Sequence, residues 1–439
     1  MLNKWLFTRI DNSALIVFRI LFGLLLAIEA FGAIFTGWIQ RAFIEPQFTF
    51  NFIGFEFLQP LPGNGMLWYY GIMGVFGLLV MVGYKYRFSI FMYAVMWAAV
   101  YLMQKSSYNN HYYLLMLLCF IMISLPAHRY ASVDVRQKPE LKQISMPRWV
   151  WVFIVGQLWI VYTYAAIAKL YPDWLDGTLP GILMAAREDY WLVGDFLQQE
   201  WVHFTIAWFG FFFDLLIIPL LLWKRTRIFV FLTAVFFHLF NSVIFQIGIF
   251  PYLALAFTLF FFSTENINRY FLWKKPHYSE GEVIIPEHKP LIISFISLWL
   301  LVQLVLPVRH WFIKDDVLWT EEGHRLSWRM MLRSKSGKIQ YKVVDKARPQ
   351  DTIYVKNSEY LSPKQMRALP SKPDMIWQFA QHLESEFGES GKEVEIFVDS
   401  KVSVNGRPYK PFIDPKVDLA AEEWNHLRHH KWILPSAID

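Results

Sequence analysis

The residues best placed for chemistry are polar groups set inside apolar runs. Lys169 closes a run that begins at Trp149 and holds no other charged residue. An ammonium at the end of a membrane-length run has lost part of its hydration, which favours the neutral amine, and a neutral amine is a base. The same position suits an interface anchor, with the lysine snorkelling outward beside Tyr171 and Trp174. Asn109, Asn110 and His111 open another apolar run, and His238 and Asn241 lie one turn apart in a third. Imidazoles and amides in such places serve either a bound polar ligand or interhelical hydrogen bonds. Arg19 and Asp214 lie in two further runs at depths that make them candidate structural partners. A charged side chain at the bilayer centre costs roughly 2.5–3.5 kcal/mol on insertion scales, so each of these groups should face protein or a cavity.

The elements that must position them are membrane helices. The 439-residue chain is 55% hydrophobic and 18% charged, against about 45–50% apolar and about 25% charged in soluble domains. Apolar segments near 14–37, 67–84, 88–104, 111–126, 149–170, 203–223, 228–248, 251–263 and 291–308 give about nine spans, with 111–126 and 251–263 short. The first run is long and has no small-residue cleavage site, so it is expected to remain as a span. Cations gather in alternate loops, at Lys85 and Arg87, Arg129 to Arg148, Lys224 to Arg227, and Arg269 to Lys289. The opposite loops hold scattered cations such as Arg41, Lys105 and Arg187. This bias puts the N-terminus in the cytoplasm and the C-terminal tail outside it. Lys169, His111, His238 and Asn241 then all fall in the outer half of the bilayer. An amine, imidazoles and amides walled by aromatic helices would suit a lipophilic ligand with polar ring oxygens.

From about residue 309 charge becomes frequent and the apolar runs shorten. Lys338–Val344 and Val394–Val398 alternate as strands do, residues near 363–388 read as helical, and Asn405-Gly406 signals a hairpin turn. The fold class expected is therefore mainly α, a polytopic membrane protein with a small extracytoplasmic α+β domain. Its two domains would be residues 1–308 and 309–439. The single cysteine, Cys119, excludes an intrachain disulfide and a cysteine metal cluster. No phosphate loop, dinucleotide fingerprint or HExxH motif is present. The net charge of +6 is spread over membrane-flanking loops and the tail, which is a topology signal and not a nucleic-acid one. His429 and His430 read as a solvated pair with no third metal ligand nearby.

Several segments, taken in order, resemble one family. They are Phe18-Arg-Ile-Leu-Phe-Gly23, Asn109-Asn-His111, Ala166-Ile-Ala-Lys-Leu170 with Asp173-Trp174 and Gly177, and Phe237-His238 with Asn241-Ser242 and Ile247-Gly-Ile-Phe250. Ser327-Trp-Arg-Met-Met331, Val402-Ser-Val-Asn405 and Asp414-Pro-Lys-Val-Asp418 follow in the tail. Together they resemble the vitamin K-dependent gamma-glutamyl carboxylases across nearly the whole chain.

The resemblance implies an enzyme that oxidises reduced vitamin K, a phylloquinone or menaquinone hydroquinone, with O2 and without a metal. The oxygenated intermediate removes a γ-proton from a glutamate of a peptide or protein. The carbanion adds CO2, and the quinone leaves as its epoxide. Lys169 falls on the family's base, which deprotonates the hydroquinone. His111 falls beside it as a second catalytic group, and Asn109, Asn110, His238 and Asn241 would hold the cofactor. Trp328, Met331, Arg333 and Lys335 would meet the glutamate substrate. His324 stands where the family has a tyrosine, and animal members continue beyond the position of Asp439. With one cysteine and no glycosylation sequon, a bacterial-type homologue in a plasma membrane is expected. Two other readings stand beside this one: a hydroquinone oxygenase without glutamate carboxylation, and a non-enzymatic quinone or lipid binder or transporter.

Overall fold

The computed structural model describes residues 1–388 and 392–436. Nine apolar helices fall on the nine apolar segments: α1 Ser13–Phe35, α2 Gly65–Val82, α3 Tyr86–Met103, α4 Asn110–Ser124, α5 Arg148–Ile167, α6 Glu200–Leu222, α7 Arg227–Phe245, α8 Phe250–Phe257 and α9 Lys289–Val305. Among the described residues seven are long and apolar enough to cross a membrane, α9 with its 3-10 continuation to Phe312 included. The two short ones are α4 and α8, the latter extended as a 3-10 turn to Phe261. The protein is thus a mainly helical, polytopic membrane protein with a small α+β domain at its C-terminal end.

Local chemistry sets the helix ends and the closest packing. Asn109 starts α4 by accepting the Tyr112 backbone N–H at 2.7 Å. Gly83 ends α2 at φ +67°. A methyl group on Gly77 would sit 2.7 Å from the Ala27 nitrogen, so glycine there allows α1 and α2 to touch backbone to backbone. At the N-terminal face, strand β1 Arg9–Asp11 pairs antiparallel with β2 Ser145–Pro147. Asp11 there binds Lys275 at 2.8 Å.

The tail lies on the other face. Its sheet runs β4-β3-β5-β6, all antiparallel, with β3 Lys335–Asp345, β4 Arg348–Tyr354, β5 Val394–Val404 and β6 Lys410–Pro411. The register pairs Lys335 with Val404 and Asp345 with Val394. Tyr341, Val343, Ile396 and Val398 alternate inward and meet Ile376, Phe379 and Leu383 of helix α10 Pro373–Gly388. The single helix expected near 363–388 is two, because Pro370 and Pro373 interrupt it after Pro363–Ala368. Asn405 and Gly406 take φ +52° and +76°, and the chain returns as β6.

Polar contacts dock the tail onto the helices. Asp173 accepts both Arg407 Nη1 at 2.6 Å and Nη2 at 2.7 Å, and Asn405 Nδ2 at 2.7 Å. Asn110 Nδ2 donates to the Arg329 carbonyl at 3.0 Å, and the Leu326 N–H donates to the Tyr108 hydroxyl at 2.7 Å. Lys105 binds Asp374 at 2.9 Å. Motifs distant in sequence (109–111, 169–174, 327–331 and 402–405) thus meet at one junction.

Candidate functional site

Lys169 lies two residues past the end of α5, after the cap residue Ala168. Helical side chains lean toward the N-terminus, and this one folds back to donate to the Ala165 carbonyl at 3.2 Å. Its ammonium also donates to the Asp214 carboxylate on α6 and lies 5.3 Å from the Trp174 ring centre. The side chains of Lys169 and Asp214 are 9% and 8% exposed. The lysine therefore reaches inward and does not snorkel to the interface.

This geometry corrects the Arg19–Asp214 pairing expected from depth alone. Arg19 is fully buried, and its Nη2 donates to the Ala131 carbonyl at 2.7 Å on the side of the N-terminus. Asp214 faces α5, so its partner is Lys169. Depth along a sequence carries no information about which way around a helix a side chain points.

The remaining membrane residues gather through aromatic contacts. His111 stacks on Phe250 at 4.0 Å, and His238 meets the same ring edge-on at 6.0 Å. His238 is buried, with Nε2 3.2 Å from the Tyr162 hydroxyl, while its Nδ1 has no partner among the described residues. Phe213, next to Asp214, lies 5.8 Å from His238 and 6.3 Å from Tyr162. A continuous set of contacts so leads from Lys169 and Asp214 through Phe213 and His238 to His111. Asn241 lies on α7 one turn beyond His238. Asn109 is occupied as the α4 cap, and Asn110 accepts from the Tyr108 hydroxyl at 2.8 Å besides holding Arg329.

A cavity of about 210 Å³ lies between the helices and the tail. Asn110, His111, His324, Arg329, Met331 and Arg333 are among its walls. Met331 is 38% exposed and borders it. Trp328 does not: it is fully buried and stacks on Tyr113 at 4.8 Å. Lys335 is also withdrawn, donating to the Trp319 carbonyl and lying 4.2 Å from the Phe412 ring centre. Neither side chain is open to a substrate in this arrangement.

Arg333 is not a free cation either. Its Nε and Nη2 donate to the two oxygens of Glu321, and its Nη1 lies 2.9 Å from His324 Nε2. Lys372 binds Glu321 at 2.9 Å and Lys335 lies 3.9 Å from it. Burial would raise the Glu321 carboxyl, but Arg333 and Lys372 hold it well below the usual carboxylate range. Burial lowers Lys372 to about 8 and Lys335 to about 7. Glu321 escaped the reading of the sequence because it lies twelve positions before Arg333, outside any local charge pattern.

The backbone of this region is unusual. Glu321, Leu326, Trp328 and Met331 take φ of +63°, +60°, +57° and +52°. Side chains rarely adopt that region, and such strain collects at functional sites. His429 and His430, read as solvated, both bind Glu322, at 2.7 Å each, and His430 is buried against Trp424. Among the described residues no group of three metal-ligating side chains converges.

Two family matches cover most of the chain. Residues 7–265 match the HTTM domain, and residues 288–439 match the vitamin K-dependent gamma-carboxylase lumenal domain. The second match begins with α9. No solved structure matches this chain.

Proposed function

The chain belongs to the vitamin K-dependent gamma-carboxylase family, and from that premise we propose that it oxidises vitamin K hydroquinone with O2 to the epoxide and couples this to CO2 addition at the γ-carbon of a peptidyl glutamate. The observation that carries the reading is the inward turn of Lys169 onto Asp214, beside a cavity of about 250 Å³ walled by Ala168, Leu170 and, from the tail, Arg329.

The residues present fit a hydroquinone. His238 keeps a buried nitrogen without a partner among the described residues, and His111 presents an imidazole stacked on Phe250. Either could hydrogen-bond a ring oxygen. When bound, the quinone supplies the oxidation chemistry that makes a base strong enough for a γ C–H bond. Lys169 would take the hydroquinone proton, which requires its free amine. Asp214 is the group placed to hold the proton of the ammonium meanwhile. A neutral amine and carboxylic acid cost less to bury than two ions once water is excluded.

The proposed orientation puts the N-terminus in the cytoplasm and the tail outside, in a bacterial plasma membrane. A second reading, hydroquinone oxidation without carboxylation, draws on the engagement of Arg333 and Lys335 with internal groups. One experiment separates the two. Purified protein is given vitamin K hydroquinone, O2, labelled bicarbonate and a glutamate peptide, with wild type run beside Lys169→Ala. Epoxide and labelled peptide from wild type alone support the carboxylase. Epoxide without label supports the second reading, and neither product from folded protein sinks both.

A further inference from the structure

Every other lysine and arginine on the wall of the 210 Å³ cavity has a carboxylate partner. Arg333, Lys372 and Lys335 share Glu321, and Lys105 and Arg325 share Asp374. Arg329 is different. It is 9% exposed, has no carboxylate within ion-pair distance among the described residues, and leaves its Nε without an acceptor. One Nη lies 3.3 Å from His310 Nε2. The other His310 nitrogen sits 2.8 Å from the Pro307 carbonyl, which fixes the proton there and makes Nε2 the acceptor for arginine. A guanidinium has five donors and cannot shed its charge. Burying one without a counter-ion is costly, and the cost falls when an anion arrives.

Its position gives the anion a place. Arg329 borders the cavity walled by Asn110, His111 and Met331, and also the adjoining cavity of about 250 Å³ walled by Ala168 and Leu170, the neighbours of Lys169. The side chain therefore stands where the glutamate side and the quinone side of the site adjoin.

We propose that Arg329 binds the γ-carboxylate of the substrate glutamate, while Glu321 occupies the fork of Arg333. The inference rests on the function proposed above. In that reaction the γ C–H bond breaks and its proton goes to the base generated by hydroquinone oxidation. The electron pair stays on the γ-carbon, delocalised into the adjoining carboxylate, and then forms the new C–C bond to CO2. The carboxylate so gains a second negative charge on the way. A fixed, bidentate cation stabilises that state more than the ground-state monoanion. Arg333, whose fork is already taken up by both oxygens of Glu321, could not do so without first releasing that carboxylate.

The test is direct binding to the full-length, detergent-solubilised protein. A short glutamate-containing peptide and its glutamine counterpart are titrated calorimetrically into wild type, Arg329→Gln and Arg329→Lys. Wild type should prefer the glutamate peptide by about ten-fold or more, the size expected for a charge-assisted hydrogen bond. Arg329→Gln should bring the two peptides level. An undiminished preference in Arg329→Gln overturns the proposal, and so does a wild type that binds both alike. Should Arg329→Gln fail to fold, Arg329→Lys decides: loss of the planar fork should weaken the preference several-fold, and an unchanged preference overturns the assignment. Epoxide formation is followed on the same wild-type preparation. Peptide preference without epoxide would sink the proposed reaction and leave Arg329 as a carboxylate site.

Discussion

The Lys169 ammonium and the Asp214 carboxylate form a buried pair between the end of α5 and α6. Removing one member of such a pair leaves an unpaired charge, which typically costs about 3–5 kcal/mol, whereas replacing both with apolar groups is often neutral.

That contrast separates stability from chemistry. Asp214→Asn and Lys169→Met should each lower the thermal midpoint of the purified protein, and Lys169→Met with Asp214→Leu should recover most of the loss. All three should lack epoxide formation. A double variant no more stable than the singles would show that the pair is not the unit described here.

His238 and His111 make different demands on a ligand. His238→Phe should raise the hydroquinone KM about ten-fold, the worth of one hydrogen bond, and lower stability by about 1–3 kcal/mol because the buried Tyr162 hydroxyl loses its partner. His111→Phe keeps the stack on Phe250 and loses the imidazole nitrogens. It should lower kcat. Steady-state epoxide assays check both, and an unchanged KM in His238→Phe would remove it from the quinone site.

The Asp173 clamp predicts an acid limit for tail docking. The Arg407 hydrogen bonds hold the Asp173 carboxyl below its usual 3.8. A carboxyl depressed in the folded state stabilises it fully above that ordinary value, and the contribution disappears as pH falls through the lower folded one. Docking, followed by protease access to the tail, should hold at pH 5 and above and weaken below about pH 4. Asp173→Asn should loosen it already at neutral pH.

Lys335 predicts a change in the opposite pH range. Burial lowers it from 10.5 to about 7. Between those values the unfolded chain binds one more proton than the folded one, so stability rises with pH across that window. The urea midpoint of the tail should therefore climb from pH 7 to pH 10, and Lys335→Met should make the climb shallower, flattening it between pH 7 and 8 and leaving above that the part due to Lys372, which burial lowers to about 8. A midpoint that falls over this range in wild type but not in the variant would reverse the assignment.

Orientation is testable through the lone cysteine. Cys119 is buried, so it gives little background to a membrane-impermeant maleimide. In intact cells Lys401→Cys in the tail should label and Lys138→Cys in a loop on the N-terminal face should not. The reverse pattern would invert the topology.

The membrane helices were legible because uninterrupted apolar runs of membrane length have one main structural outcome. Lys169 stood out as a charge at the end of such a run. The partners of the charged groups were not legible, since they depend on rotation about helix axes and on contacts between distant segments. Arg19 and Asp214 were matched by depth and belong to opposite faces. Arg333 and Lys335 looked like free cations because Glu321 reaches them through a left-handed turn that no periodicity reveals. Arg329 lay unremarked inside a motif whose neighbour Trp328 proved to be core.

The junction between helices and tail has a consequence for how the protein is made. Asn110 and His111 emerge from the ribosome early, whereas Glu321, Arg329 and Lys372 follow only after the last membrane helix. Within the stretch from Glu321 to Met331, the left-handed residues Leu326 and Trp328 and the Arg329 carbonyl are held by Tyr108, Tyr113 and Asn110 of the earlier part. A nascent chain that has inserted all its helices is still without a finished site, and a tail synthesised alone has no template for that stretch. Maturation is therefore a late docking event, so damage to the clamp at Asp173 would be felt first as a failure of biogenesis.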